Sequence, residues 1–153
     1  MVRMADLPPT KRDSLQSLAC PSFADEPWVS GGALSGRTVS IVSSAGLILR
    51  GERPVTPHDT RYRTIPHAAA DGDVLMSHVS VNFDRTGFQQ DLNCVLPRAP
   101  LAALAQAGEI GAAAGNHYAF MGATLPEKLE SNARKLAGEL QSAGVDTALL
   151  VPV

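Results

Sequence analysis

The sequence predicts an α/β domain: a three-layer, Rossmann-like arrangement with a mostly parallel sheet, incomplete at its C-terminal side. Three observations carry that prediction. A β-branched run, Thr38-Val39-Ser40-Ile41-Val42-Ser43, stops at the small residues Ser44-Ala45-Gly46. A leucine and alanine repeat at helical spacing over 125 to 143 passes directly into a second apolar run, Val145 to Val151. Finally, 153 residues with 44% hydrophobic but only 5% aromatic side chains suit close-packed layers with small contacts. A chain of this length buries roughly 70% of its unfolded surface, so a core forms without disulfides or structural metal.

Composition also excludes. With 13 basic against 15 acidic side chains and a net charge of -2, there is no broad basic face for nucleic acid. No apolar stretch approaches the roughly 20 residues that cross a bilayer, and the opening Met-Val-Arg-Met-Ala-Asp has no apolar signal region. Cys20 and Cys94 stand far apart without a Cys-x-x-Cys, which reads as a reduced, cytoplasmic protein; each is expected as a buried small hydrophobe.

Taken in order, residues 1–36 form an N-terminal arm rich in Pro and Gly, with one short amphipathic stretch from Lys11 to Leu18. Its Leu15, Leu18, Phe23 and Trp28 are expected to dock on their own domain, because left exposed they would be adhesive. The α/β domain occupies 37–153, read as the N-terminal part of a longer domain. Its strands are expected near 38–43, 74–82 and 145–151, and its helices near 100–107 and 125–143. Residues 50–72, with several Arg and three prolines, read as a polar surface excursion. Ala99-Pro100-Leu101 starts the first helix and Gly108 ends it. Thr124-Leu125-Pro126-Glu127 reads as a capping box opening the second, and Gly144 as its stop. The run after Gly144 suits a strand covered on both faces.

Site candidates follow from the rule that ligands sit beyond the carboxyl ends of parallel strands. Ser43, Ser44 and Gly46 let backbone N–H groups approach an anion, although an ordinary turn explains them equally well. His78 falls in the second expected strand and His117 in a small-residue segment; either can orient substrate or move protons, or be a hydrogen-bonded packing histidine. Asp84, Asp91 and Asn93 are candidates for holding a substrate amine, against simple turn capping and pairing with Arg85. Arg63, with Arg61, offers a fork for a carboxylate. His58, His67, His78 and His117 show no ligand spacing, so no metal site is expected.

Four stretches together resemble a known family. They are Val42-Ser43-Ser44-Ala45-Gly46-Leu47; Arg63-Thr64-Ile65-Pro66; Ser77-His78-Val79-Ser80-Val81-Asn82-Phe83-Asp84 with Asp91-Leu92-Asn93; and Ile110-Gly111 through His117-Tyr118-Ala119-Phe120-Met121-Gly122. Over residues 28 to 153 the chain is similar to the selenoprotein B subunits of glycine, sarcosine, betaine and D-proline reductases. The resemblance implies reductive C–N bond cleavage of an amino acid or N-methylated amine. It implies a selenocysteine, or a cysteine, in the loop after the strand matching Val145 to Val151, and a partner subunit whose pyruvoyl group holds the substrate amine. No cofactor is expected within this chain itself. The sequence stops where that nucleophile is expected, which a UGA codon read as a stop would explain; the fragment is then expected to lack turnover. The competing readings are a noncatalytic ligand-binding or assembly module that has lost the redox loop, and a thiol oxidoreductase using Cys94. Homo-oligomerisation is compatible with each.

Overall fold

The computed structural model describes residues 3–18, 22, 26, 28–81 and 83–153. In chain order it contains α1 (Pro9–Gln16), β1 (Thr38–Ser43), β2 (Leu47–Leu49), β3 (Arg63–Pro66), β4 (Val74–Met76), α2 (Thr86–Gln90), α3 (Arg98–Gln106), β5 (Ala112–Ala113), β6 (Asn116–Ala119), α4 (Pro126–Ser142) and β7 (Thr147–Val151). The fold is α/β with a mixed, mostly parallel sheet.

β1 is the sheet's centre because its residues alternate between two apolar layers. Val39 and Ile41 enter one core with Ile65, Leu96, Leu101, Ile110 and Ala119, under α3. Val42 faces the opposite way, with Tyr118, Phe120 and the α4 leucines 129, 136 and 140. β7 pairs in parallel along β1 from Val39↔Thr147 to Ser43↔Val151. β5 and β6, also parallel, share the other edge of β1. β3 closes that side antiparallel to β6, with Ile65 opposite His117. The crossovers through α3 and α4 therefore lie on opposite faces, and the carboxyl ends of β1, β6 and β7 meet at one edge of the sheet. β2 and β4 form a separate antiparallel pair.

Several expectations need correction. The strand expected over 74–82 ends at Met76: Ser77 N–H still reaches the Gly46 carbonyl (3.0 Å), but Gly46 N–H goes to Phe120 instead of returning the bond, and Val81 is 92% exposed. His78 thus lies in a loop. Residues 50–72 are more than a surface excursion, since they supply β3 and the buried Val55, Asp59 and Ile65. The capping box does not form. Leu125 is the N-cap without a side-chain cap, and the Thr124 hydroxyl donates instead to the Asp59 carbonyl at 3.1 Å. Pro126 begins α4 as expected, and Gly144 at φ 71° follows its end. The buried stripe of α4 is narrower than its periodicity implied, since Leu125, Ala133, Ala137 and Ala143 are exposed.

β7 is not covered on both faces. Among the described strands only β1 pairs with it, and Leu149 and Leu150 are 40% and 62% exposed. A continuous apolar run fixes strand propensity but not how many neighbours the strand has. The arm does not dock as expected either: Leu15, Leu18 and Trp28 are all exposed, and Phe23 lies outside the described residues. Cys94 is exposed rather than buried, while Cys20 lies outside the described residues.

Candidate functional site

The carboxyl ends of the parallel strands are tied together by main-chain and serine hydrogen bonds. Ser44 N–H donates to the Val151 carbonyl (3.1 Å), Ala45 N–H to Ser43 Oγ (3.2 Å) and Gly46 N–H to the Phe120 carbonyl (2.8 Å). The N–H groups of Ser44, Ala45 and Gly46 are therefore satisfied internally rather than offered to an anion. The turn works as a clamp. Ser44 Oγ also accepts from Val153 N–H at 2.8 Å, which fixes the chain just beyond β7. Two glycines permit this convergence. Gly46 takes φ 62°, and a Cβ there would sit 3.1 Å from the His78 Cα. At Gly122 a Cβ would meet the Ser44 carbonyl at 2.6 Å, so no larger residue fits without moving the strand ends.

His78 borders this clamp. Its Nδ1 accepts from the Ser80 N–H (3.1 Å), so the neutral ring carries its proton on Nε2. That Nε2 is buried and has no hydrogen-bond partner among the described residues. The ring stacks on Phe83 at a centroid distance of 4.8 Å, and Arg85 Nη2 donates to the carbonyls of His78 (2.6 Å) and Ser80 (3.3 Å). Burial, and then the charge of Arg85, lower the His78 pKa. A pocket of about 270 Å³ opens here, lined by His78, Ser80, Phe83, Gly122, Ala123 and Val153.

His117 sits differently. It is fully buried on β6, and its Nδ1 accepts from the Ile41 N–H at 3.1 Å. The proton on its Nε2 then points to His67 Nδ1, 2.8 Å away. Burial first, then His67 and Arg98, push its pKa down to about 4. Arg98, also buried, reaches the carbonyls of Pro66 (3.0 Å) and His67 (3.1 Å) and pairs with Asp71. Sequence reasoning missed the His67 pairing because it depends on the β3–β6 register; the only available signal was the pair of motifs themselves. No hydrogen bond or ring contact joins His117 to His78 among the described residues.

The remaining candidates are committed locally. Arg63 makes a largely buried ion pair with Asp59 (2.7 Å), which Arg61 also contacts (3.2 Å). Burial raises the Asp59 pKa, but the hydrogen bonds of Arg61 and Arg63 outweigh it and hold the carboxyl at about 2. Asp84 is exposed and accepts from Thr86 N–H (2.9 Å); Arg85 turns to the His78 loop instead of pairing with it. Asp91 accepts from Asn93 N–H (2.8 Å), and Asn93 Oδ1 accepts from Ala99 N–H (3.0 Å) at the start of α3. Their local capping geometry is complete without a ligand. An apolar groove of about 420 Å³ between α4 and β7, lined by Val42, Phe120, Leu129, Ala133 and Leu150, carries no titratable group. Among the described residues no three His, Cys, Asp or Glu side chains are grouped to hold a metal, and no helix is long and apolar enough to cross a membrane.

Comparison with known proteins gives this geometry a context. The chain is 32% identical over 120 residues to the D-proline reductase subunit gamma of Acetoanaerobium sticklandii, a match covering 76% of this chain and 49% of the relative. The chain is a relative of the selenoprotein B-like reductases. It spans about half the length of the curated relative it matches. No family profile matches the chain, and no solved structure does.

Proposed function

We propose that this chain is part of a cytoplasmic reductase subunit that cleaves a C–N bond of an amino acid or N-methylated amine, of the glycine, sarcosine, betaine or D-proline type. The observation that carries the reading is the 32% identity over 76% of the chain to a D-proline reductase subunit. A selenocysteine or cysteine following Val153 would supply the nucleophile, and a partner subunit's pyruvoyl group would hold the substrate amine. The local geometry fits such a residue. Ser44 Oγ binds the Val153 N–H at 2.8 Å, so a chain continuing from Val153 leaves from the wall of the His78 pocket.

In this reading the protein's own residues position and exclude rather than react. Ser43, Ser44 and Gly46 hold the strand ends in register, Phe83 and Ala123 supply an apolar wall, and His78 presents one N–H donor. Asp84, Asp91 and Asn93 would have to release their capping bonds to meet an amine, and Arg63 would have to leave Asp59, so they rank behind His78. His117 supports the sheet beneath.

Assaying the 153-residue chain beside a version extended by selenocysteine or cysteine after Val153, each with a pyruvoyl-containing partner and a dithiol, tests this. Reductive ring opening or deamination by the extended version alone is expected. Equal activity in both, or none in either with any of the four substrates, contradicts it. A second reading, a noncatalytic ligand-binding module, is favoured by one observation: the pocket at the strand ends offers a donor and apolar walls but no cysteine. An open reading frame ending in UAA or UAG after codon 153 would select it.

A further inference from the structure

On the β3 side of the sheet, a separate cavity of about 340 Å³ is lined by Glu52, Arg53, Arg61, Tyr62 and Arg63 and shares no residue with the His78 pocket. One wall is the turn after β2, which carries Glu52 and Arg53. The other is the segment leading into β3, where Arg63 stands opposite Ala119 at the carboxyl end of β6. Three of the five lining residues carry a guanidinium. Protein surfaces ordinarily intersperse the two signs of charge, so such a grouping calls for a compensating anion.

Within the protein that compensation is incomplete. Asp59, whose side chain is 5% exposed, accepts from Arg61 Nε (3.2 Å) and Nη2 (3.4 Å) and from Arg63 Nη2 (2.7 Å), while its backbone carbonyl accepts from the Thr124 hydroxyl (3.1 Å). One carboxylate thus serves two guanidiniums. Arg61 spends a single edge on it, so its Nη1 has no protein partner among the described residues, and Arg53 there has neither an ion pair nor a hydrogen bond. The acid in the lining, Glu52, turns its Oε2 to the Leu49 N–H (2.8 Å). Three cations against two carboxylates leave the cavity positive. Guanidinium forks reaching in from two walls match the tetrahedral oxygens of a phosphate group, whereas a planar carboxylate is matched by one fork alone.

We propose that this cavity binds a phosphate group, free or as a phosphomonoester, with Arg53 and the open Nη1 edge of Arg61 donating to its oxygens. Arg63 stays on Asp59 and supplies positive charge from behind. The Asp59 brace orders Arg61 before the ligand arrives, so only Arg53 has to be immobilised on binding. Both contacting guanidiniums are exposed, so the affinity falls as salt is added. The assignment holds whether or not the chain works as a reductase subunit.

Arginine 1H–15N side-chain spectra of the full 153-residue chain test it directly, with inorganic phosphate and glycerol 3-phosphate as probes and acetate as the planar anion, all at constant ionic strength. The expected result is a shift of the Arg53 and Arg61 signals with both phosphates, while acetate binds about tenfold more weakly, as loss of one of two forks requires. Tighter binding of glycerol 3-phosphate identifies a phosphomonoester as the occupant, and equal affinities identify the free ion. Arg53→Gln weakens inorganic phosphate about tenfold, and Arg53→Lys recovers part of that. Glu52→Gln keeps an acceptor for the Leu49 N–H and removes a negative charge, so it tightens phosphate about threefold. Arginine signals that neither phosphate moves, or that acetate moves equally, overturn the proposal. So does a hexaglutamate peptide that shifts them where phosphate does not, which would mark the surface as one for an acidic partner protein. Because the wild-type guanidiniums are read directly, a variant that fails to fold does not obscure the answer. Phosphate binding without reductase activity in the extended chain would leave this site standing and remove the reductase reading alone.

Discussion

Two histidines from the matched motifs meet opposite fates. His117 is fully buried with both ring nitrogens engaged, one by the Ile41 N–H and the other by His67. His78 is nearly as buried, yet among the described residues only one nitrogen is engaged and the other has no acceptor. The difference teaches that burial alone does not say how a histidine is used. Hydrogen-bond saturation differs between them: the satisfied ring spends its polarity on the fold, and the other keeps one donor unspent.

The comparison breaks most sharply under mutation of His117. Replacing it with Ala leaves the Ile41 N–H and His67 unpaired beside a cavity, and a loss of about 3–4 kcal/mol is expected in urea denaturation. His78→Ala removes an orphan along with one good bond and should cost about 1–2 kcal/mol. Equal losses would erase the distinction between the two rings. Asp59→Ala strands the 12%-exposed Arg63 guanidinium, and about 3 kcal/mol should be lost.

Acid unfolding sharpens the same contrast. The folded pKa of His117, about 4, lies below the ordinary value of 6.5, so the unfolded state takes up the proton first. Stability from that neutral ring is whole above pH 6.5 and drains as pH falls toward 4. Asp59, held at about 2 against an ordinary 3.8, contributes stability above pH 3.8 that is lost on approaching pH 2. Melting temperature against pH should show both windows. His117→Gln should flatten the upper one and Asp59→Asn the lower one; an unchanged profile in either variant contradicts the assignment.

The smallest effects test two corrected expectations. Glu127→Gln should change stability by under about 0.5 kcal/mol, because no capping box exists to lose, whereas Thr124→Val should cost about 1 kcal/mol through its bond to the Asp59 carbonyl. Leu150→Lys, on the open edge of β7, should also stay within about 0.5 kcal/mol in thermal melts. A large loss there would mean that the edge is covered.

What was legible in the sequence was whatever local pattern determines. The run Thr38–Ser43 became β1 at the expected bounds, and Pro126 and Gly144 bracket α4. Non-local choices were not legible. Arg63–Pro66 reads as polar loop until β6 supplies its ladder, and that same register brings His67 to His117. Thr124 has a good partner on either side of it, and the Asp59 carbonyl won over the helix terminus. The apolar letters of β7 are those of a central strand, but only a neighbour makes a strand central. For the site, the strand-end rule brought Ser43, Ser44 and Gly46 into view while leaving their role as a clamp hidden. His78 was visible by motif and Arg85 only as a turn partner. The unsatisfied Nε2 that links them has no one-dimensional signature.

The most direct measurement of the contrast is a pH titration of the imidazole nitrogens of the 153-residue chain by NMR. The account predicts that His117 keeps its proton on Nε2 alone until pH falls to about 4, and that the neutral His78 ring also carries its proton on Nε2. A His117 that titrates near 6.5, or a neutral His78 protonated on Nδ1, would contradict it.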